Sequence, residues 1–332
     1  MSRRDAILNG TARASQLHED LGLKNRLRAG DEPIDVLGAM ASLDIAVVFK
    51  PLKGLLGAYL RVPGAAGVVI TSERPLHVQR FTAAHELGHH VFEHPLSTDS
   101  TVGYAARGER RGYDENELEA DAFASEFLMP RWLIAAHMRR RSYTKQDLFR
   151  TDVIYQLSLR LAVSYSALCW ALYGHGLFAH DQAEQMASRE PKGAKQMAAA
   201  DVVPQTWHPD VWALSERDHR SIIIGGPEDL VVLELEEHST AGFAWDLREA
   251  KALGMRIRAD ERVVVDEEAM GAAQKRRLTL EGDVQGILRL AERRPWERNG
   301  QPNQSFEVRL DLHGRERGGM PRAQRAALRK TG

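Results

Sequence analysis

Two histidines four residues apart, with a glutamate directly after the first, are the residues of this chain best suited to chemistry: His85-Glu86-Leu87-Gly88-His89. On an α-helix, positions i and i+4 share a face, so both imidazoles can turn to one divalent ion. Glu86 can reach a water at such an ion and has the chemistry of a general base. The helix itself is legible in the flanks. Val78, Phe81, Ala84, Leu87 and Val91 recur at three- and four-residue steps, and Pro95 ends the run.

A catalytic zinc takes three protein ligands and keeps one position open. The third ligand is expected on a second predicted helix, within Asp114 to Pro130, where Leu118, Ala122, Phe123 and Leu128 form an apolar stripe. Glu119 is preferred because it directly precedes Ala120, a small residue where helices can approach, and so lies at the edge of the buried face. Glu115, Glu117, Asp121 and Glu126 compete with it. Asp121 is expected to hold a histidine N–H from behind. Tyr104, Tyr113, His90 and His94 are candidates for stabilising an oxyanion.

Phe81-Thr-Ala-Ala-His-Glu-Leu-Gly-His-His, followed by Glu119-Ala-Asp-Ala-Phe-Ala and Leu128-Met-Pro, resembles the ImmA/IrrE family of metallopeptidases. The resemblance runs from about residue 10 to about 178 and takes in Gly57-Ala-Tyr and Gly67-Val-Val-Ile-Thr. It implies a zincin-like α+β domain with a small antiparallel sheet. His85, His89 and Glu119 would bind zinc or manganese, and Glu86 would be the catalytic base. It also implies a protein substrate, since family members cleave helix-turn-helix repressors of mobile elements or stress genes.

The 332 residues predict two domains. A net charge of −1 exerts no global pull toward nucleic acid or membrane, and direct nucleic-acid binding is not expected. No apolar run approaches the ~20 residues that span a bilayer, and Met1-Ser-Arg-Arg-Asp lacks a signal-peptide core, so a cytoplasmic protein is expected. The single cysteine, Cys169, excludes an internal disulfide and reads as a buried, inert thiol.

Residues 11–29 and 34–43 read as helices, and Ile45-Ala-Val-Val-Phe as a buried strand. Gly57–Val62 and Gly67–Thr71 form a hairpin around Pro63-Gly64. The second strand of that hairpin is the expected edge for adding a substrate strand. Residues 97–112 read as a mobile loop. Thr144-Lys-Gln-Asp147 is a capping box for a helix through Leu161, and Ser164 opens another ending at Gly174. The peptidase-like domain thus covers 1–179 and residues 180–204 read as a linker. A β-rich domain follows over 205–313, and 314–332 is a basic tail expected to be disordered.

The β-rich domain has seven short alternating segments beginning at Ser221, Leu230, Phe243, Arg262, Arg276, Gly286 and Phe306, the pattern of an antiparallel, immunoglobulin-like β-sandwich. His238-Ser-Thr-Ala-Gly-Phe-Ala-Trp245 and Arg293-Arg-Pro-Trp-Glu297 resemble the chagasin-like inhibitors of papain-type cysteine peptidases. That family presents an Asn-Pro-Thr-Thr-Gly-Tyr loop, a glycine-rich loop and an Arg-Pro-Trp loop. Here His238-Ser239 replaces the Asn-Pro, and Ala269-Met-Gly-Ala-Ala is the stand-in for the glycine-rich loop. Thr240, Gly242 and Trp296 are the partner-binding candidates.

The whole chain therefore reads as a multidomain α+β protein. The expected function is a metal-dependent endopeptidase acting on an intracellular regulator, with the sandwich recruiting or restraining. The alternatives are an inhibitor of papain-like peptidases, or an antitoxin-type regulator that binds without cutting. The intact Glu86 argues against the last.

Overall fold

The computed structural model describes residues 2–26, 32–95, 97–99, 114–200, 202–264, 274–297 and 301–331. The chain forms two compact units. The first comprises 1–139, 160–189 and 315–332, the second 140–159 and 190–314. Each unit is built from separated stretches of chain, whereas the sequence reading has continuous segments over 1–179, 180–204, 205–313 and 314–332.

The first unit opens with α1 (Arg3–Asp20), started by a reciprocal cap in which Ser2 Oγ accepts from Asp5 N–H and the Asp5 carboxylate accepts from Ser2 N–H. This start lies eight residues before the expected one. Gly22, at φ +61°, separates α1 from the short α2 (Leu23–Arg26). Ala6, Gly10, Ala14 and Leu17 form the buried stripe of α1. Next come α3 (Val36–Ser42), β1 (Ile45–Lys50), β2 (Gly57–Val62), β3 (Ala65–Thr71), α4 (Leu76–Val91), β4 (Ser97–Asp99) and α5 (Glu115–Leu128).

The sheet order is β1-β3-β2-β4. It is mixed, because β1 runs parallel to β3 while the other pairs are antiparallel. β3 is paired on both sides, so the second strand of the hairpin has no edge for a substrate strand. The helix α5 packs between α1 and α4 at van der Waals distance. A Cβ on Gly10 would lie 2.5 Å from the Glu119 carbonyl oxygen, and one on Gly88 would lie 3.1 Å from Ala120 Cα.

Four more helices continue the chain: α6 (Arg131–Arg141), α7 (Thr151–Leu161), α8 (Tyr165–Gly174) and α9 (His180–Ala187). The Thr144–Asp147 cap forms, but it opens a 3-10 turn at Gln146–Phe149 before α7 begins. Ser164 caps α8 as expected, and Cys169 is buried there, its thiol pushed up to about 12 by burial.

The stretch read as a linker is helical. α9 and α10 (Lys192–Ala199) bury Ala183, Met186, Ala194 and Ala199. Lys195 is buried too. Its ammonium donates to the carbonyls of Trp207, His208 and Pro209 at 2.9–3.1 Å and lies 3.0 Å from Asp210 Oδ1. Small alanines concealed this burial from a reading based on large apolar residues.

The second unit carries two four-stranded sheets. One has the order β5 (Val211–Leu214), β7 (Leu230–Glu237), β10 (Gln274–Glu281), β9 (Arg256–Val264). The other has β6 (Ile222–Ile224), β12 (Gln304–Asp311), β11 (Gln285–Arg293), β8 (Ala244–Asp246). All seven expected segments contain strands, and β5 is an eighth. The edge strands β5 and β6 run parallel to their neighbours, which the antiparallel reading did not include. Leu233, Leu278, Leu288, Leu290, Phe306, Val308 and Leu310 fill the core, and Trp245 is buried with its Nε1–H donating to Glu236 O at 2.9 Å. A short helix, α11 (Arg248–Leu253), follows β8.

The terminal segment, expected to be disordered, folds into the first unit. Phe49 on the outer edge of β1 pairs with Gly319 through two 2.8 Å hydrogen bonds, and α12 (Arg322–Thr331) follows. From α4, Gln79 Nε2 donates to Glu316 O (2.8 Å) and to Thr71 O (2.9 Å), and Gln79 Oε1 accepts from Glu316 N–H at 2.8 Å. Among the described residues, no helix is long and apolar enough to cross a membrane.

Gln79 is 2% exposed, so truncating it strands three buried backbone groups. Gln79→Ala is expected to lower unfolding stability by about 2–4 kcal/mol. Chemical denaturation checks this, and a loss below about 0.5 kcal/mol would place the tail outside the folded unit.

Candidate metal centre

His85 and His89 lie one turn apart on α4 and are 5% and 0% exposed. Their Nε2 atoms face each other at 3.0 Å. Glu117 completes the group: Oε2 is 3.3 Å from His85 Nε2 and Oε1 is 3.5 Å from His89 Nε2. One ligand atom from each of the three lies within 4.8 Å of the others, an arrangement that could hold a metal ion.

Behind the histidines stands a second ring of partners. His85 Nδ1 is 3.0 Å from Asp121 Oδ1. His89 Nδ1 is 3.0 Å from His94 Nδ1, and His94 Nε2 is 3.1 Å from Glu119 Oε2. Asn9 of α1 donates to the other Glu119 oxygen at 3.0 Å.

The structure therefore brings Glu117, where the sequence reading preferred Glu119, to the two imidazoles. The reason is helical phase. Glu117 and Asp121 are four residues apart and share the face of α5 turned to α4, whereas Glu119 is about 200° round the helix from Glu117. Asp121 stands against His85. Of the other competitors, Glu126 is half-buried with its carboxylate 3.9 Å from His175 Nδ1, and desolvation pushes its carboxyl up to about 7.

The three residues present fit a divalent cation. A carboxylate only accepts, so Asp121 accepts from His85 Nδ1–H, and in the neutral ring His85 Nε2 is then an acceptor. Glu119 likewise accepts from His94 Nε2–H, so in the neutral ring His94 Nδ1 accepts from His89 Nδ1–H. His89 Nε2 is then an acceptor as well. Two nitrogen lone pairs and a carboxylate converge, and a cation is the species that satisfies all three.

Glu86 is fully buried beneath β2. A Cβ on Gly57 would lie 2.6 Å from Glu86 Oε1 and 2.5 Å from Thr82 Cγ2, so the strand backbone rests directly on the carboxylate. His90 turns away to Tyr59, whose hydroxyl is 3.1 Å from His90 Nδ1. Burial, and then the Arg61 charge, hold His90 below the usual histidine range. His94 has both ring nitrogens engaged within the cluster, which removes it from the oxyanion candidates. Tyr104 and Tyr113 lie outside the described residues. So do most of the loop 97–112, and Ala269–Ala273.

Residues 40–173 match the model of the IrrE N-terminal-like domain, a peptidase M78 family, and residues 227–310 match the chagasin family of peptidase inhibitors, I42. The chain thus combines a metallopeptidase-type domain with a protease-inhibitor-like one. No curated protein matches it. Among solved structures, the cysteine protease inhibitor EhICP2 from Entamoeba histolytica is 19% identical, with a TM-score of 0.28, over 32% of this chain and 99% of that one. Amebosin is 18% identical, with a TM-score of 0.22, over 31% of this chain and 98% of that one. The expected resemblances and the multidomain α+β class both hold.

In the sandwich, Gly242 (φ +80°) lies under Trp296, whose ring atoms leave no room for a Cβ, and Arg294 sits 4.7 Å over the Phe243 ring. The indole is 68% exposed, and Thr240, two residues before Gly242, is exposed as well. The structure thus brings Gly242 and Trp296 together.

Gly57 and Asn9 are not among the sequence candidates, and Glu117 stands there only as one of the acids competing with Glu119. Glu117-x-x-x-Asp121 repeats the i, i+4 spacing of the histidines, which is the signal that could have found it.

Because a methyl group at position 57 collides with Glu86 and Thr82, Gly57→Ala is expected to cost about 1–3 kcal/mol by overpacking. Thermal melting of the variant checks this, and an unchanged melting temperature would mean that β2 does not rest on α4.

Proposed function

We propose that the first unit is a zinc-dependent endopeptidase that cuts a specific protein inside the cell, with a helix-turn-helix repressor as the substrate class. The single observation that carries the hydrolytic reading is the convergence of His85, His89 and Glu117 beside Glu86 on the α4–α5 pair. The match over residues 40–173 supports it.

His85, His89 and Glu117 would hold the ion. A divalent cation held there would supply Lewis acidity toward a scissile carbonyl and toward water. Glu86 takes a proton from the attacking water and delivers it to the leaving nitrogen as the C–N bond breaks. Asp121 fixes the His85 ring in the tautomer that offers Nε2.

Glu117→Ala is expected to abolish stoichiometric zinc binding. Glu86→Gln should keep zinc and lower turnover about 10²–10⁴-fold. Zinc content by mass spectrometry and cleavage of a repressor presented as substrate measure the two effects. Full zinc in Glu117→Ala would move the third ligand back to Glu119.

A second reading, inhibition of papain-type cysteine peptidases, draws on the match over 227–310 and on the exposed Trp296 held over Gly242. The His238-Ser239 departure counts against it. The His238 backbone N–H donates to the buried carboxylate of Glu292 at 2.6 Å and the ring Nδ1 lies 3.1 Å from it, which ties the first residue of this loop into the sandwich. The expected outcome is at most weak inhibition of papain by the full chain. Nanomolar inhibition that Trp296→Ala abolishes would promote the second reading.

A further inference from the structure

We propose that His94, Glu119 and Asn9 form a positioning relay that sets the tautomer of His89 and thereby the affinity of the centre for its metal. The inference rests on the metal reading above and assigns to Glu119 a role other than that of ligand.

The relay begins in the way α4 ends. Phe92 is the last cap residue, Glu93 takes φ +58°, and the chain then doubles back: Glu93 N–H donates to His90 O at 3.1 Å and His94 N–H to His89 O at 2.9 Å. These are the two bonds of a Schellman cap. The left-handed position is one that glycine usually takes, and a glutamate holds it here. In such caps the residue after the turn commonly makes an apolar contact with the residue five before it. Here that pair is His94 and His89, and the contact is imidazole on imidazole at 3.0 Å. Helix termination alone therefore places a partner on Nδ1 of His89.

That partner has two ring nitrogens, and its direction needs fixing. Glu119 fixes it. The carboxylate accepts from His94 Nε2–H, which leaves His94 Nδ1 only the acceptor role and His89 Nδ1 only the donor role. Asn9 donates to the remaining Glu119 oxygen and holds the carboxylate still. The close α1–α5 approach at Gly10 brings that amide within reach. Phe92 stacks on His94 at 5.2 Å with ring planes 9° apart, which locks the imidazole plane. His94 and Glu119 are 8% and 6% exposed, so water does not compete freely for these bonds. The relay does for His89 what Asp121 does for His85, with an imidazole interposed between carboxylate and ligand.

Zinc titration of the full chain tests the relay, with His94→Phe, which keeps the ring, and Glu119→Gln as the variants. Partners of this kind change metal affinity about 10–100-fold. Both variants are expected to weaken zinc binding by about that factor while still binding one ion per chain at saturation. With Co2+ as the probe, the ligand-field absorption should keep its shape, because the ligand set is unchanged. In the zinc-loaded wild type, imidazole 15N shifts should report protons on His89 Nδ1 and His94 Nε2, a measurement that needs no variant.

Unchanged affinity in both variants, with only thermal stability lowered, would overturn the relay and leave a packing role. An altered Co2+ spectrum or lost stoichiometry in Glu119→Gln would make Glu119 a ligand and overturn it equally. A proton on His94 Nδ1 would reverse the relay's direction and refute it without recourse to any variant. A wild type that binds no zinc would instead remove the metal reading itself.

Discussion

The centre depends on how closely two helices approach. At Gly88 the surface of α4 has no side chain, and a Cβ there would press against Ala120 of α5. This contact lets one turn of α4 and one turn of α5 face each other across a gap short enough for side chains to meet. Each helix then offers a pair at i and i+4: His85 with His89, and Glu117 with Asp121. The ligand group and one of its supporting carboxylates are both products of that single contact.

Close approach also explains the chemistry of the group. Burying two imidazoles and several carboxylates is unfavourable unless each polar atom has a partner. Asp121 and the His94–Glu119–Asn9 chain meet this need on the far side of each ring. In neutral rings whose outer nitrogens donate, the inner nitrogens are acceptors, so the arrangement that stabilises the buried cluster also turns two nitrogen lone pairs and a carboxylate toward one point.

Much of this was legible in the sequence because it is written in local spacing. The His-Glu-x-x-His helix, the hairpin around Pro63-Gly64 and seven of the sandwich strands each follow from periodicity over a few residues. The choice between Glu117 and Glu119 was not legible from composition, since α5 carries acids on several faces and the answer is a matter of phase relative to α4. Nor was the helical structure of 180–187 and 192–199, or the ordered segment 315–331. Alanine-rich helices bury little area per residue, and Lys195 is buried through backbone carbonyls that no side-chain pattern reveals. The strand Val211–Leu214 is only four residues long and follows a stretch without periodicity.

The amide side chain of glutamine solves the same problem in both units. In the first, Gln79 presents its N–H and C=O to the peptide group of Glu316. In the second, Gln156 of α7 donates to Val211 O at 2.8 Å and accepts from Ala213 N–H at 3.0 Å, pairing with the outer edge of β5. In each case a helix supplies one peptide-like partner to an extended segment that would otherwise expose its hydrogen-bonding groups. The Gln79 pairing spans 237 residues of sequence, yet closure entropy grows only with the logarithm of loop length. An inserted sandwich therefore adds little to the entropic cost of completing the first unit. The helix that carries the candidate metal centre is thus completed by residues beyond Gly314, at the other end of the chain.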